Sequence, residues 1–332
     1  QPPNFAPVID PAVRSQPATY VLVLGESARR DRLGLYGYQH NTTPLMAAQQ
    51  DLLVFSDMVS YGYNTSTSIP YAMTKARDVD MKPSFLSVFK QAGFKVFWIS
   101  NQAKYGEFDS LISSYAAAAD VVHFMNVHSY SMTTPDNFDE KLLPFYQQAL
   151  DDQAGKKLIV LHLYGSHPAF DKRYPPVANV FKDSYDNSIY YTDMMLQQII
   201  AKLHSNRHMT GMFYLSDHGL SLGECGAIDG HIDAKNSYEV PFLMWFNPLW
   251  RQYNQYRYQR LQSRQGSPLH TGDLFDSLTD IAGIHFAAQD LTRAFASADF
   301  QRHPRLVKAA QSEMDYDRSV TGEGCHLQTL AQ

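Results

Sequence analysis

Apolar residues occur along the chain in short continuous runs separated by stretches of helical period. The runs 20–24, 52–60, 95–99, 157–164, 212–215 and 239–246 have strand length and are rich in β-branched and aromatic residues. A run that is apolar on both faces suits a central parallel strand. Between the runs the pattern predicts helices over 83–92 (stopped by Gly93), 107–118, 136–152, 183–204 and 269–283. The longest of these, 183–204, places Met195, Ile199, Ile200 and Leu203 on one stripe, as core packing requires. A turn over 35–38 leads to a further helix start at Pro44. Strand–helix alternation on this scale predicts an α/β fold, with a mostly parallel central sheet, helices on both faces and right-handed crossovers. Residues 1–18, rich in Pro, Gln and Ala, read as a linker, and 286–332 as short irregular elements with a loose polar tail. No internal repeat interrupts 19–332, which reads as one domain.

In such a sheet the carboxyl ends of the parallel strands share one edge, where ligands bind. The polar residues that follow the runs therefore matter most. Strand 20–24 ends in Gly25-Glu26-Ser27, and strand 95–99 in Ser100-Asn101-Gln102. Strand 157–164 ends in Gly165-Ser166-His167, and strand 212–215 in Ser216-Asp217-His218-Gly219. The run 52–60 delivers a hydroxyl-dense loop, Tyr61 to Pro70. Each feature has an ordinary reading: a helix N-terminal charge over 28–32 for Glu26, a capped turn for Asp217-His218, a surface imidazole for His167, a core imidazole for His162. Together, Glu26, Thr65, His167, Asp217 and His218 converge on one edge. Two carboxylates, two imidazoles and a hydroxyl loop predict a metal site acting on phosphate or sulfate, with a loop hydroxyl as nucleophile where the metal lowers its pKa.

Composition narrows the classes. The chain has 332 residues, 44% of them hydrophobic, and a net charge of −5, which gives no sign of a broad basic nucleic-acid face. Its 21 Tyr and 19 Phe suit a large core or a carbohydrate- or lipid-facing surface. Cys225 and Cys325 are too few for a disulfide scaffold; one bridge and two unrelated thiols are both open. No run approaches the ~20 apolar residues of a membrane span, and no signal peptide is seen. The opening Gln1-Pro2-Pro3 reads as a processed product or an excised domain.

Six motifs occur in one order: Gly25-Glu26-Ser27; Tyr36-Gly37-Tyr38 with Thr42-Thr43-Pro44; the Thr65 loop; Gly165-Ser166-His167; Tyr185-Asp186-Asn187; and Ser216-Asp217-His218-Gly219 continuing to Ser221-Leu222-Gly223-Glu224. Over residues 18–250 the series resembles the bacterial phosphoethanolamine transferases of the alkaline phosphatase and sulfatase superfamily. The resemblance implies that Glu26, Thr65, Asp217 and His218 bind one zinc, with Thr65 the nucleophile, five residues before Pro70. It further implies attack on phosphatidylethanolamine and passage of phosphoethanolamine to a glycan hydroxyl. His167 and His231 would bind the phosphate, help the leaving group or hold a second zinc; Asn101 would touch substrate. Tyr185-Asp186-Asn187 reads as structural. The same resemblance implies a monomeric periplasmic domain of a Gram-negative inner-membrane protein, approaching the membrane through an N-terminal region outside this sequence.

The departures are informative. Lipid A-modifying members commonly carry a disulfide flanking the nucleophile, where this chain has Tyr61 and Tyr71. That disfavours lipid A, leans toward a periplasmic glucan, and leaves the loop to be held by packing. The Asp217-to-His231 spacing is slightly long for the family. A sulfatase proper needs Cys/Ser-x-Pro-x-Arg, and Ser68-Ile69-Pro70-Tyr71-Ala72 lacks the Arg. A phosphoglycerol transferase shares the same motifs. From another class, a non-catalytic glycan- or lipid-binding module would fit the tyrosines but not the retained Glu26, Thr65, Asp217 and His218.

Overall fold

The computed structural model describes residues 2–75, 83–105, 110–128, 134, 136–224, 226 and 230–331. Its centre is an eight-stranded sheet built from β1 (Ala18–Gly25), β2 (Leu53–Val59), β3 (Lys95–Tyr105), β4 (Val121–His128), β5 (Lys156–His162), β6 (Met209–Ser216), β7 (Glu239–Phe246) and β8 (Leu269–His270). The spatial order is β4-β3-β5-β1-β6-β7-β2-β8. Every pairing is parallel except those of β7, which runs against both β6 and β2. A parallel neighbour needs a long crossover. Among the described residues, the link from β6 to β7 holds only the 3₁₀ turn Lys235–Ser237 and no α-helix. The mostly parallel sheet expected from the pattern is thus present, with β7 presenting its first residue, Glu239, at the edge where the other strands end.

Alternation along β1 divides the core. Tyr20, Leu22 and Leu24 pack on one face with helices Phe85–Gln91 and Leu274–Ile281; Val21 and Val23 pack on the other with Leu143–Asp151 and Ser184–Leu203. The long helix starts at an Asp183 N-cap, whose side chain accepts from the Tyr185 N–H, and the whole expected stripe of Met195, Ile199, Ile200 and Leu203 is buried.

Several elements differ from the pattern. Segment 28–32, a helix only in the ordinary reading of Glu26, holds just the 3₁₀ turn Arg30–Arg32, and the expected helix at 136–152 is a 3₁₀ turn running into Leu143–Asp151. The expected helix 107–118 spans Ser110–Ala116, with 106–109 outside the described residues. Leu269 and His270, expected to open a helix, form β8 on the free edge of β2; the helix follows at Leu274. Pairing satisfies backbone groups that an open edge would expose. The tail is not loose. Two hairpins, Leu306–Lys308 with Glu313–Asp315 and Ser319–Thr321 with Leu327–Thr329, fold back onto the domain. Buried Arg305 reaches Asp57 on β2 at 2.9 Å and Asp317 at 2.6 Å. At the other end, Val8–Ile9 pairs with Ile284–His285, and Val13 is buried. No helix among the described residues is long and apolar enough to cross a membrane.

Candidate active site

Glu26 follows β1, and its position is set by the turn after it. Ser27 adopts a left-handed conformation, φ +55°, which is costly for a residue with a Cβ. The turn is held from several sides. The Tyr185 hydroxyl donates to Ser27 O at 2.6 Å and accepts from the Arg29 N–H at 2.9 Å. The Ser27 N–H donates to Asp217 Oδ1 at 3.3 Å, and the Ala28 N–H to Ser216 Oγ at 2.8 Å. Gly165, at φ +57°, lies so close that a Cβ there would meet Glu26 N and O at 2.9 Å. Gly165→Ala is therefore expected to cost about 2–3 kcal/mol, by backbone strain and by displacing Glu26. Urea unfolding checks this; an unchanged midpoint would show that the contact relaxes freely.

Thr65 is not in a loop. It is the first residue of the helix Thr65–Met73, whose N-cap Asn64 accepts from the Thr67 N–H. Its hydroxyl oxygen lies 2.7 Å from Glu26 Oε2, 2.6 Å from Asp217 Oδ2 and 3.3 Å from His218 Nε2. His218 Nε2 is 3.0 Å from Glu26 Oε1 and 3.6 Å from Asp217 Oδ2. One hydroxyl proton can serve only one of two carboxylates at these distances. Glu26, Asp217 and His218 are all buried.

Electrostatics points the same way. Burial, then the charge of Glu26, pushes the Asp217 carboxyl up to about 8. At His218 burial acts downward, but Asp217 and Glu26 outweigh it and lift the imidazole to about 9. At Glu26 burial acts upward and is outweighed by His218, so this carboxyl stays well below its ordinary value. Two buried carboxylates share one imidazole and one hydroxyl, a donor set of O and N atoms that fits a divalent cation such as zinc.

The other expected site residues divide. Glu26, His218 and His231 bring ligand atoms within 4.8 Å of one another, with the ring of His231 5.1 Å from that of His218. His167 is partly exposed and stacks on Tyr164 at 5.0 Å. Asn101 is buried, and its amide is engaged by Asp139 at 3.0 Å and by Asn126 at 3.2 Å. The residue from this strand that reaches the cluster is Gln102, whose Nε2 lies 3.4 Å from Glu26 Oε2 and donates to Leu163 O at 2.9 Å. Sequence reasoning missed Gln102, Tyr185 in its hold on Ser27, and Asp139, which accepts from the Tyr164 and Gly165 N–H groups at 2.8 and 3.0 Å. His162 is a core imidazole, edge-on to Trp98 and lowered to about 4 by burial. A Cys225–Cys325 bridge would involve Cys225, which lies outside the described residues.

The packing expected to replace a disulfide around the nucleophile is present. Tyr61 and Tyr71 stack face to face, with ring centroids 3.7 Å apart and planes 6° from parallel.

Residues 18–284 match the sulfatase family model. The chain belongs to the sulfatase family. Within it, the chain is 27% identical to phosphoethanolamine transferase EptC of Escherichia coli K12 over 344 residues, covering 93% of this chain and 59% of that protein. It is 34% identical to phosphoethanolamine transferase OpgE of the same strain over 247 residues, covering 70% of this chain and 46% of that protein. Among solved structures, the C-terminal periplasmic domain of EptC from Escherichia coli in complex with Zn matches with a TM-score of 0.82 and 26% identity, over 91% of this chain and 93% of that one. The chain thus spans roughly half the length of these two relatives, 59% and 46%.

Proposed function

We propose that the chain is a zinc-dependent catalytic domain. It transfers phosphoethanolamine from phosphatidylethanolamine to a glycan hydroxyl of the cell envelope, through a covalent intermediate on Thr65. The observation that carries this reading is the Thr65 hydroxyl, held at 2.6 and 2.7 Å from two buried carboxylates and 3.3 Å from a buried imidazole. Glu26, Thr65, Asp217 and His218 would hold the zinc, which supplies Lewis acidity that lowers the pKa of the Thr65 hydroxyl. Thr65 Oγ1 forms a bond to phosphorus as the bond from phosphorus to the diacylglycerol oxygen breaks. The first turn of the helix that Thr65 opens favours the phosphate's negative charge. His231, beside the cluster, has its imidazole lowered to about 4 by burial and by the charge of His218, so it binds a phosphoryl oxygen as a neutral ring. His167, on the segment that follows β5, binds the phosphate and passes the proton given up by the Thr65 hydroxyl to the departing diacylglycerol oxygen. The acceptor hydroxyl then attacks phosphorus, its proton returns to Thr65 Oγ1 as the Thr65 Oγ1–P bond breaks, and the phosphodiester product leaves. With Tyr61 and Tyr71 where lipid A-modifying members carry a disulfide, the acceptor proposed is a periplasmic glucan.

The names of the relatives support the donor group, and the zinc complex of EptC supports the metal. The proposed setting is the periplasmic face of an inner membrane, as for that EptC domain. The test is the intact mass of the zinc-loaded protein after incubation with phosphatidylethanolamine vesicles. A phosphoethanolamine adduct on Thr65 is expected, together with about one zinc per chain and a melting temperature that falls on chelation. An adduct only with phosphatidylglycerol would replace the donor; stoichiometric zinc binding and adduct both missing would favour a non-catalytic binding module.

A further inference from the structure

The family model ends at residue 284, yet the chain beyond it touches two segments that carry site residues. On the nucleophile's side, the Tyr61–Tyr71 stack brackets Thr65, and Leu306 of the first C-terminal hairpin packs against the pair. The Tyr61 hydroxyl donates to Glu313 Oε2 at 2.7 Å, and Tyr61 O accepts from the Lys308 N–H at 2.7 Å. Within the turn, Ser60 Oγ and Ser68 Oγ both donate to Gly62 O, at 2.8 and 2.9 Å, which fixes the path from Tyr61 into the helix.

On the His231 segment stands Asp233, buried and two residues past His231. Asp233 Oδ2 accepts from the Ala310 N–H at 2.9 Å, and Asp233 O accepts from the Leu327 N–H at 3.0 Å. His326 Nδ1 bonds Asp233 Oδ1. Tyr238 completes the link: its hydroxyl donates to Lys308 O at 2.8 Å, and its carbonyl accepts from the Ser60 N–H at 2.8 Å. Residues 306–329 thus join two segments, 60–71 and 231–238, that lie far apart in sequence.

We infer that the C-terminal segment 306–329 is a positioning brace for the site, setting the place of Thr65 through Tyr61 and Glu313 and that of His231 through Asp233. This rests on the function proposed above for those two residues. Glu26 and Asp217 come directly from strand ends, so the brace acts first on Thr65 and His231; it meets the His218 side through the Gly219 N–H, which donates to Ser237 O at 2.7 Å. Glu313 is exposed and its truncation removes no core volume, so its role can be separated from folding.

The experiment compares Glu313→Ala, Tyr61→Phe and Glu313→Gln with the unsubstituted protein. Amide hydrogen exchange is read on peptides covering 60–68 and 229–238, and turnover is measured alongside. In Glu313→Ala and Tyr61→Phe, exchange over 60–68 is expected to rise about tenfold, the effect of losing one charge-assisted hydrogen bond. The fall is expected in kcat, with KM and the melting temperature nearly unchanged. Glu313→Gln retains an acceptor oxygen for Tyr61 and should restore both protection and kcat. Ala310→Pro, which deletes the N–H given to Asp233, should raise exchange over 229–238. Exchange over 60–68 that is unmoved in Glu313→Ala, or a kcat loss that Glu313→Gln does not rescue, would overturn the brace. Because exchange needs no substrate, a failure of the proposed transfer reaction would leave this readout intact.

Discussion

Thr65→Ala is expected to lower transfer by at least about 10⁴-fold, the scale seen when a covalent nucleophile is removed, and to leave no adduct on the protein. The fold should survive. Thr65 is partly exposed, and the Asn64 side chain that caps its helix bonds the Thr67 N–H, not Thr65. The substitution removes a hydroxyl and a methyl from the site, not volume from the core. It also frees two carboxylates from a shared donor, so zinc should still bind through Glu26, Asp217 and His218. Circular dichroism, zinc content and intact mass test the three parts separately. Thr65→Ser keeps the hydroxyl and should keep the adduct. Sustained turnover in Thr65→Ala would exclude a threonine intermediate.

Asp217→Asn is expected to weaken zinc binding by more than about 100-fold, beyond what losing even a hydrogen-bond partner of a ligand reaches. The substitution is close to isosteric. Asp217 Oδ1 accepts from the Ser27 and His218 N–H groups at 3.3 and 2.8 Å, and the amide oxygen of Asn can take over that role. The loss falls on Oδ2, the oxygen 2.6 Å from Thr65 Oγ1. In the metal-free state Asp217→Asn should melt no lower than the unsubstituted protein, because a buried carboxyl pushed up by burial and by Glu26 gives way to a neutral amide. Chelator competition gives the affinity, and melting with and without zinc gives the contrast. Unchanged affinity would remove Asp217 from the ligand set.

Much of the site could be read from the chain because strand ends leave little freedom. Once 20–24 and 212–215 are neighbouring parallel strands, the residues that follow them must meet, and Glu26 comes to share Thr65 Oγ1 with Asp217. The hydroxyl loop was legible as a group, but residue pattern alone did not choose among its members. The structure separates them by helix geometry. Ser66 Oγ turns to Asn64 and Ser68 Oγ to Gly62, while Thr65, at the helix start, reaches both carboxylates. Asn101 and Gln102 show the limit at a strand end. Adjacent residues face opposite sides of a strand, and the β3–β4 register shifts between Ser100 and Ala103, so parity counted along the sequence cannot say which amide approaches Glu26.

By itself, then, the sequence determined six strands of the sheet and their shared edge, because period and strand length are local properties that backbone geometry enforces; it did not determine β4 or β8. Tertiary structure alone decided the reversal of β7, the approach of Gln102, the lock of Tyr185 on Ser27 and the return of the tail. The tail is polar and aperiodic, and nothing in it announces a partner. Its contacts join residues as far apart as Tyr61 and Glu313, 252 positions along the chain. Such pairings form only after the sheet has brought their anchors together, so no local pattern can encode them.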